Sequence, residues 1–135
     1  MIVTPLYAAL LALWFIVLSL RVISLRRSAR VSLGDGGNPS LARAIRGHAN
    51  FAEYVPLALL LLVILELSRF SIYLVHVLGV ILVIARLVHG YALAFTAEWR
   101  LGRTAGAALT FIVIIVEALL CLYQSYRGHI VWFAA

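Results

Sequence analysis

Long apolar runs, separated by short polar segments, dominate the pattern of the chain. Four of these runs are long enough, at about 20 residues each, to cross the hydrocarbon core of a membrane. We therefore predict helices over approximately residues 5–25, 41–67, 71–95 and 104–126. The predicted fold is an all-α integral membrane bundle of four transmembrane helices, and residues 1–135 form its single domain.

Local signals mark where these helices begin and bend. Pro5 suits a first helical turn, and Asn38 or Ser40 can cap the second helix. Pro56 is expected to kink that helix, which membrane helices tolerate. The segment 26–40 contains glycines, Asn and Pro, and is predicted to be a loop. Its glycines lack the Lys-Ser/Thr ending and the preceding strand of a phosphate-binding loop, which excludes that interpretation.

Composition agrees with a membrane protein. The chain is 65% hydrophobic and 12% charged, about half the charged fraction of a soluble domain. All eleven basic residues are arginine, and the formal net charge is +6. Because these arginines flank or interrupt apolar runs, membrane topology explains them better than nucleic-acid binding. The single cysteine, Cys121, excludes a disulfide within the chain, and no metal-binding pattern is present.

The placement of the arginines predicts topology. The side opposite the main arginine cluster holds Arg69 and Arg127, with Glu66 in a short exposed turn and with Trp132 and Phe133 suited to the interface. The positive-inside rule then puts both termini outside the cytosol. The cytosolic side would hold the other arginines of the connections and helix starts: Arg21, Arg26, Arg27, Arg30, Arg43, Arg46, Arg100 and Arg103.

The second helix carries a polar stripe. Arg43, Arg46, Asn50 and Glu53 fall within about 80° of one another on the helical wheel. Ionisable groups inside a membrane are costly and face the bundle interior or a water-filled cavity. Two interpretations stay open on the stripe alone: a network that locks the helices together, or a ligand site.

The third helix adds Arg86 and His89, which are three residues apart and share a face. At 1.5 Å per residue, Arg86 and Glu53 both lie roughly 15–18 Å from the cytosolic ends of their helices. Because an unpaired buried charge is much less stable than a paired one, we predict an ion pair between Arg86 and Glu53.

The fourth helix places Arg103, Thr110 and Glu117 on one face by their sevenfold spacing. Glu117 lies in the outer half, away from the arginines. It is either a proton-handling carboxylate or a protonated or hydrogen-bonded group, with His76 as one candidate partner.

The cytosolic half of the bundle thus gathers arginines from the first loop and from helices two, three and four. This arrangement predicts a cationic pocket for a small polyanion, open to the cytosol and bordered by lipid. A site of this kind would lower the pKa of a bound thiol and favour its thiolate.

These residues form a recognisable motif. The chain resembles the membrane-associated proteins in eicosanoid and glutathione metabolism, the MAPEG family, and within it the bacterial branch. The resemblance covers nearly the whole chain and also includes the loop Leu33-Gly34-Asp35-Gly36-Gly37 and the segment Asn50-Phe51-Ala52-Glu53-Tyr54. Its specific part is Arg43-x-x-Arg46-x-His48-x-Asn50-x-x-Glu53-x-x-Pro56, followed by Arg86-x-x-His89.

The resemblance implies a homotrimer like the microsomal glutathione transferases, with glutathione bound between neighbouring subunits in the cytosolic half. It implies that Arg103 holds the thiolate, with Arg100 as the alternative. It implies no metal, and partners limited to a second and third copy, lipid, glutathione and apolar electrophiles, without nucleic acid. The residues it assigns to glutathione are Arg43, Arg46, Asn50, Glu53, Arg86 and His89.

Two departures from the family pattern reduce the donors available to glutathione. Eukaryotic members often carry a tyrosine one turn after the position of His89 and another one turn into helix four. Here Leu93 and Ala107 occupy those positions, and Tyr91 points about 160° away.

The leading hypothesis is a membrane-bound glutathione transferase, active in detoxification, that conjugates the thiolate to apolar electrophiles, with peroxide reduction as a side activity. It would lie in a bacterial inner membrane with its active site facing the cytosol. The alternative is a non-catalytic membrane scaffold or an anion-binding MAPEG homologue, which the missing tyrosines favour. A small four-helix exporter needs an early intramembrane carboxylate, and the first helix has none.

Overall fold

Four α-helices make up the chain in a computed structural model, which describes residues 2–134 and the side chains of residues 2–127. Helix α1 is Thr4–Ala29, α2 is Pro39–Leu67, α3 is Ile72–Ala94 and α4 is Arg100–Ala134. Each helix is long and apolar enough to cross a membrane. The predicted four-helix all-α architecture is confirmed.

Three helix ends differ clearly from the predicted boundaries. Helix α1 continues past residue 25 and ends at Arg30, whose φ of 55° is left-handed. Helix α4 begins at Arg100, earlier than predicted, and continues to Ala134 instead of ending near residue 126. The side chains of Trp132 and Phe133, predicted to lie at the interface, fall outside the described side chains.

The start of α2 is set by Asn38. Its side-chain oxygen accepts hydrogen bonds from the backbone N–H groups of Ser40 and Leu41, at 3.0 and 3.1 Å. This is the N-cap geometry that satisfies donors in the first helical turn, and it selects Asn38 over Ser40 as the cap. Helix α2 then runs without interruption through Pro56.

Helix α3 lies at the centre of the bundle and packs against each of the other three helices, whereas α1 and α4 do not meet within the described residues. Small residues allow the close approaches that membrane helices need. The ring of Tyr7 packs directly on Gly79. A Cβ atom at Gly106 would lie 2.6 Å from the Cβ of His89 and 2.7 Å from the carbonyl oxygen of Ala85, so α4 can approach α3 only with glycine there.

A contact missed from the sequence joins the end of α2 to the start of α1. The Glu66 carboxylate accepts hydrogen bonds from the backbone N–H groups of Ile2, Val3 and Thr4 and from the Thr4 hydroxyl, with lengths of 2.9 Å to Val3 and 2.8 and 2.6 Å to Thr4. Because the first N–H groups of a helix have no partner within it, Glu66 caps α1. Its charge also complements the positive end of the helix dipole.

Replacing Glu66 with alanine should lower the free energy of unfolding by about 1–3 kcal/mol, because charged caps and their hydrogen bonds contribute on that scale. Glu98→Ala is the matched control, since Glu98 is exposed in the loop before α4. Thermal unfolding of the purified protein in a mild detergent measures both variants. Equal midpoints for the two variants would contradict the capping role.

Candidate functional site

Arg86 is the polar centre of the bundle. It lies on α3 with only 1% of its surface exposed. One terminal nitrogen, Nη2, donates to Asn50 Oδ1 on α2 at 2.8 Å, and the other, Nη1, donates to Thr110 Oγ1 on α4 at 3.3 Å. The guanidinium carbon also lies 5.7 Å from the centre of the Phe51 ring. This one side chain therefore joins three helices.

The predicted ion pair between Arg86 and Glu53 is wrong within the chain. Glu53 Oε1 instead accepts from Arg46 Nη1 at 3.0 Å, and these side chains are 47% and 62% exposed. Glu53 is exposed and occupies the outward side of α2, while Asn50 faces α3 and bonds Arg86. Among the described residues, no carboxylate lies within ion-pair distance of Arg86, so neutral groups surround its charge.

His89 lies one turn beyond Arg86 on α3 and is also buried. Its Nδ1 atom is 2.8 Å from the backbone carbonyl oxygen of Arg103. Because a carbonyl oxygen can only accept, Nδ1 must carry the hydrogen and donate it. The other ring nitrogen, Nε2, has no hydrogen-bond partner within the described part of the chain. The guanidinium groups of Arg46, Arg86 and Arg103 lie close enough to act electrostatically on this ring.

A pocket of about 400 Å³ opens beside His89 and Arg103. Arg103 is exposed, and its side chain combines with that of His89 to give the pocket its polar character. Arg100, the alternative to Arg103, lies outside the pocket at the first residue of α4. The other lining residues come from α4 and are mostly apolar: Thr104, Ala107, Ala108 and Phe111.

Of the residues predicted to bind glutathione, only Arg43 is tied to a different region. Its Nη2 donates to Ser40 Oγ at 3.1 Å, in the first turn of α2. Arg43 and Arg100 thus both lie at helix starts. The cluster formed by the remaining predicted residues, called the cationic cluster below, contains Arg46, Asn50, Glu53, Arg86, His89 and Arg103.

Sequence reasoning missed two members of this region. Thr110 was placed on the face of Arg103 but given no role, and it is fully buried against Arg86. The centre of the Tyr54 ring lies 5.3 Å from that of Phe111, which lines the pocket. The signal for Tyr54 was available, because it lies one helical turn after Asn50.

The structure shows where Leu93 and Tyr91 lie on α3. Leu93 is buried, while Tyr91 is 49% exposed. The Tyr91 ring stacks on Phe95 with centroids 5.5 Å apart. Tyr91 therefore contacts other aromatic rings on the outer side of α3 and does not replace the missing donor.

Glu117 and His76 do not form the predicted contact. The Nδ1 atom of His76 is 2.7 Å from the hydroxyl of Tyr7. Glu117 is completely buried, and neither carboxyl oxygen has a hydrogen-bond partner among the described residues. The same part of the chain contains no group of three His, Cys, Asp or Glu residues able to hold a metal ion.

Comparison with known proteins shows the family of the chain. The model of the MAPEG family matches residues 4–123. The chain belongs to the MAPEG family. Two curated relatives, each named inner membrane protein YecN, come from Escherichia coli K12 and from Escherichia coli O6:H1 strain CFT073. Each is 35% identical to this MAPEG chain over 122 residues, which cover 90% of the chain and 91% of the relative.

Membership confirms the resemblance drawn from the helix-two motif. The matched region contains the cationic cluster and both residues missed from the sequence. Together with four helices that are long and apolar enough to span, membership makes this MAPEG chain a multi-pass membrane protein.

The bond between Asn50 and Arg86 should appear as an energetic coupling. Asn50→Leu leaves a buried guanidinium short of an acceptor and should destabilise the protein by about 1–3 kcal/mol. Adding Arg86→Met to Asn50→Leu should recover part of that loss, so a double-mutant cycle should give a coupling of about 1 kcal/mol or more. The matched cycle with Glu53→Gln should give a coupling near zero. A larger coupling for Glu53 than for Asn50 would restore the ion pair rejected above.

Proposed function

We propose that this MAPEG protein is a membrane-bound glutathione transferase that joins the glutathione thiolate to apolar electrophiles. The observation that carries the proposal is the buried Arg86 guanidinium, held by neutral partners and grouped with Arg46, Arg103 and His89. Net positive charge arranged around one buried guanidinium favours a small anionic ligand. Glutathione supplies carboxylates for the arginines and a thiol that becomes an anion.

Different arginines suit different parts of glutathione. Arg46, which is exposed and held at one nitrogen by Glu53, can bind a carboxylate through its planar fork. Arg103 can stabilise the thiolate sulfur, because a positive charge near developing negative charge lowers the barrier most in a partly dry site. The sulfur then attacks the electrophile from the pocket, the carbon–sulfur bond forms and the leaving group departs with its electron pair. Reduction of hydroperoxides by two glutathione molecules is the expected side activity.

The second candidate function is a non-catalytic membrane scaffold or a binder of another anion. The observation that favours it is the replacement of two tyrosine donors by Leu93 and Ala107. With fewer donors, glutathione would be bound by charge alone, and any compact polyanion could compete for the cationic cluster.

A homotrimer is part of the proposal. The Arg46–Glu53 pair is exposed on a single chain, and at 1.5 Å per residue it reaches from about 10 to about 21 Å beyond the start of α2, a depth at which charges avoid lipid. A neighbouring subunit would cover the pair and add hydrogen-bond partners. Small residues on the same helix, Ala49 and Ala52, allow the close approach that helix contacts in lipid require.

Native mass spectrometry should therefore detect trimers across several mild detergents. Ala52→Trp should convert a large share of them to monomers, because Ala52 is exposed on the chain beside Glu53 and a bulky ring would separate the helices. Leu122→Trp, on an exposed position near the end of α4, is the control. Monomers alone from the unaltered protein in every detergent would contradict the assembly.

The proposed location is a bacterial inner membrane, with the cationic cluster facing the cytosol and both termini on the other side. Four spans place the two termini on one side, and the arginine-rich connections at the opposite ends identify that opposite side as cytosolic. The printed name of the Escherichia coli relatives, inner membrane protein, agrees with this location.

Glutathione binding and its thiolate test the proposed function directly. Isothermal titration should detect submillimolar binding of glutathione to the purified protein. The pKa of the bound thiol should lie well below that of a free thiol, which is about 8.5. Each unit by which the pKa is lowered corresponds to about 1.4 kcal/mol of preference for the anion. Arg103→Leu should move that titration back toward the free value and slow conjugation of chlorodinitrobenzene by about ten-fold or more, with little change in affinity.

Arg100→Leu is the matched control, because Arg100 lies outside the pocket, and it should leave the titration unchanged. Arg46→Leu should have the opposite effect from Arg103→Leu. It should weaken glutathione binding more than it slows conjugation. If Arg100→Leu shifts the titration of the bound thiol and Arg103→Leu does not, Arg100 is the residue that stabilises the thiolate. No binding at millimolar glutathione would favour the scaffold or another anion.

A further inference from the structure

His89 has a free nitrogen beside the arginine proposed to hold the thiolate. The Nδ1–H group of His89 is committed to the backbone carbonyl of Arg103 at 2.8 Å. With that hydrogen in place, Nε2 of the neutral ring has a lone pair and can only accept. No described residue uses this lone pair, although the side chain is only 7% exposed. A buried acceptor without a partner is uncommon in folded proteins and needs an explanation.

The surroundings of His89 are cationic. Arg86 lies one turn before it on α3, and Arg103 on α4 accepts its hydrogen bond through the backbone and lines the same pocket. Glu53 is the acidic member of the cluster, and it is bonded to Arg46. A further positive charge among these groups is unfavourable. His89 is therefore suited to accept a proton briefly and to pass it on, not to hold it.

The backbone fixes His89 and Arg103 relative to each other. The bond from Nδ1 ends on the main chain of Arg103 itself, and Gly106 lets α4 approach the Cβ atom of His89. Both side chains line the same pocket of about 400 Å³. An acceptor and a cation at one pocket are what an acidic nucleophile needs, because one group takes the proton and the other stabilises the anion.

We infer that His89 Nε2 is the proton acceptor for the thiol that binds beside Arg103. The inference rests on the proposed function and adds a catalytic residue to it. In the step, the sulfur–hydrogen bond breaks, the proton moves to Nε2 and the electron pair stays on sulfur as the thiolate that Arg103 stabilises. The imidazolium, surrounded by arginines, then returns its proton to water through the open side of the pocket. The neutral ring is restored before the next thiol binds.

The two residues should therefore affect different quantities. Arg103 acts on the equilibrium between thiol and thiolate, whereas His89 acts on the rate at which that equilibrium is reached. His89→Asn is the sharpest variant, because the asparagine side-chain N–H group can still donate to the Arg103 carbonyl while nothing replaces Nε2. His89→Gln offers an amide oxygen that accepts a hydrogen bond but cannot take up the proton.

Stopped-flow ultraviolet absorbance of the thiolate, after mixing with glutathione, measures the rate. His89→Asn and His89→Gln should each slow thiolate formation by about ten-fold or more, within the range of general-base effects. The affinity and the final amount of thiolate should change little. His76→Gln is the matched control, since it removes another helix-α3 histidine about 20 Å away, and it should keep the original rate.

The outcomes separate this inference from the proposed function. If the unaltered protein forms the thiolate and both His89 variants form it equally fast, His89 is not the base, and the proposed transferase activity is unaffected. If His89→Gln keeps the rate and only His89→Asn loses it, His89 is a hydrogen-bond acceptor and not a base. If both variants lose thermal stability and affinity in parallel with rate, its role is structural. If the unaltered protein binds no glutathione, the proposed function fails first and this inference fails with it.

Discussion

The rest of the structure depends on one buried guanidinium. Arg86 lies in the interior of a mostly apolar bundle, and Asn50 and Thr110 hold it from two other helices. A charge at such depth in a membrane is tolerated only in a protected, hydrogen-bonded place. Because the partners of Arg86 come from α2 and α4, satisfying its donors also fixes how these helices pack on α3. Neutral partners leave its charge uncompensated within the chain, which is the physical reason to expect an anion nearby.

The same constraint arranges the chemistry. His89 lies one turn from Arg86, so the rotation that buries the guanidinium also directs the imidazole toward α4. Gly106 brings α4 close enough for the His89 ring to bond the carbonyl of Arg103. The contact between α3 and α4 thus fixes the tautomer of His89, places Arg103 beside it and forms the pocket. The small residue at position 106 is as necessary to this site as the charged residues, although it carries no chemistry of its own.

Sequence patterns predicted the four helices well, because hydropathy and the lengths of apolar runs are local properties. They failed where rotation about a helix axis decides. Depth alone paired Arg86 with Glu53, but Glu53 lies about 60° around the helix from Asn50, and this rotation leaves Asn50 bonded to Arg86 and Glu53 bonded to Arg46. The cap that Glu66 provides for α1 joins residues more than sixty positions apart, and no local pattern indicates it. Helix α4 was predicted too short at both ends because the arginines at its start resemble a loop and the mostly polar residues 124–129 resemble the beginning of a tail.

The central claim is that the cationic cluster binds an anionic thiol between subunits. An electron cryomicroscopy structure of the purified protein with glutathione tests it most directly. The account predicts a trimer in which a neighbouring subunit covers the Arg46–Glu53 pair, with ligand density in the cytosolic half and its sulfur beside Arg103 and His89. A trimer with density elsewhere, or an assembly in which Arg46 and Glu53 face lipid and no ligand contacts the cluster, would contradict the account.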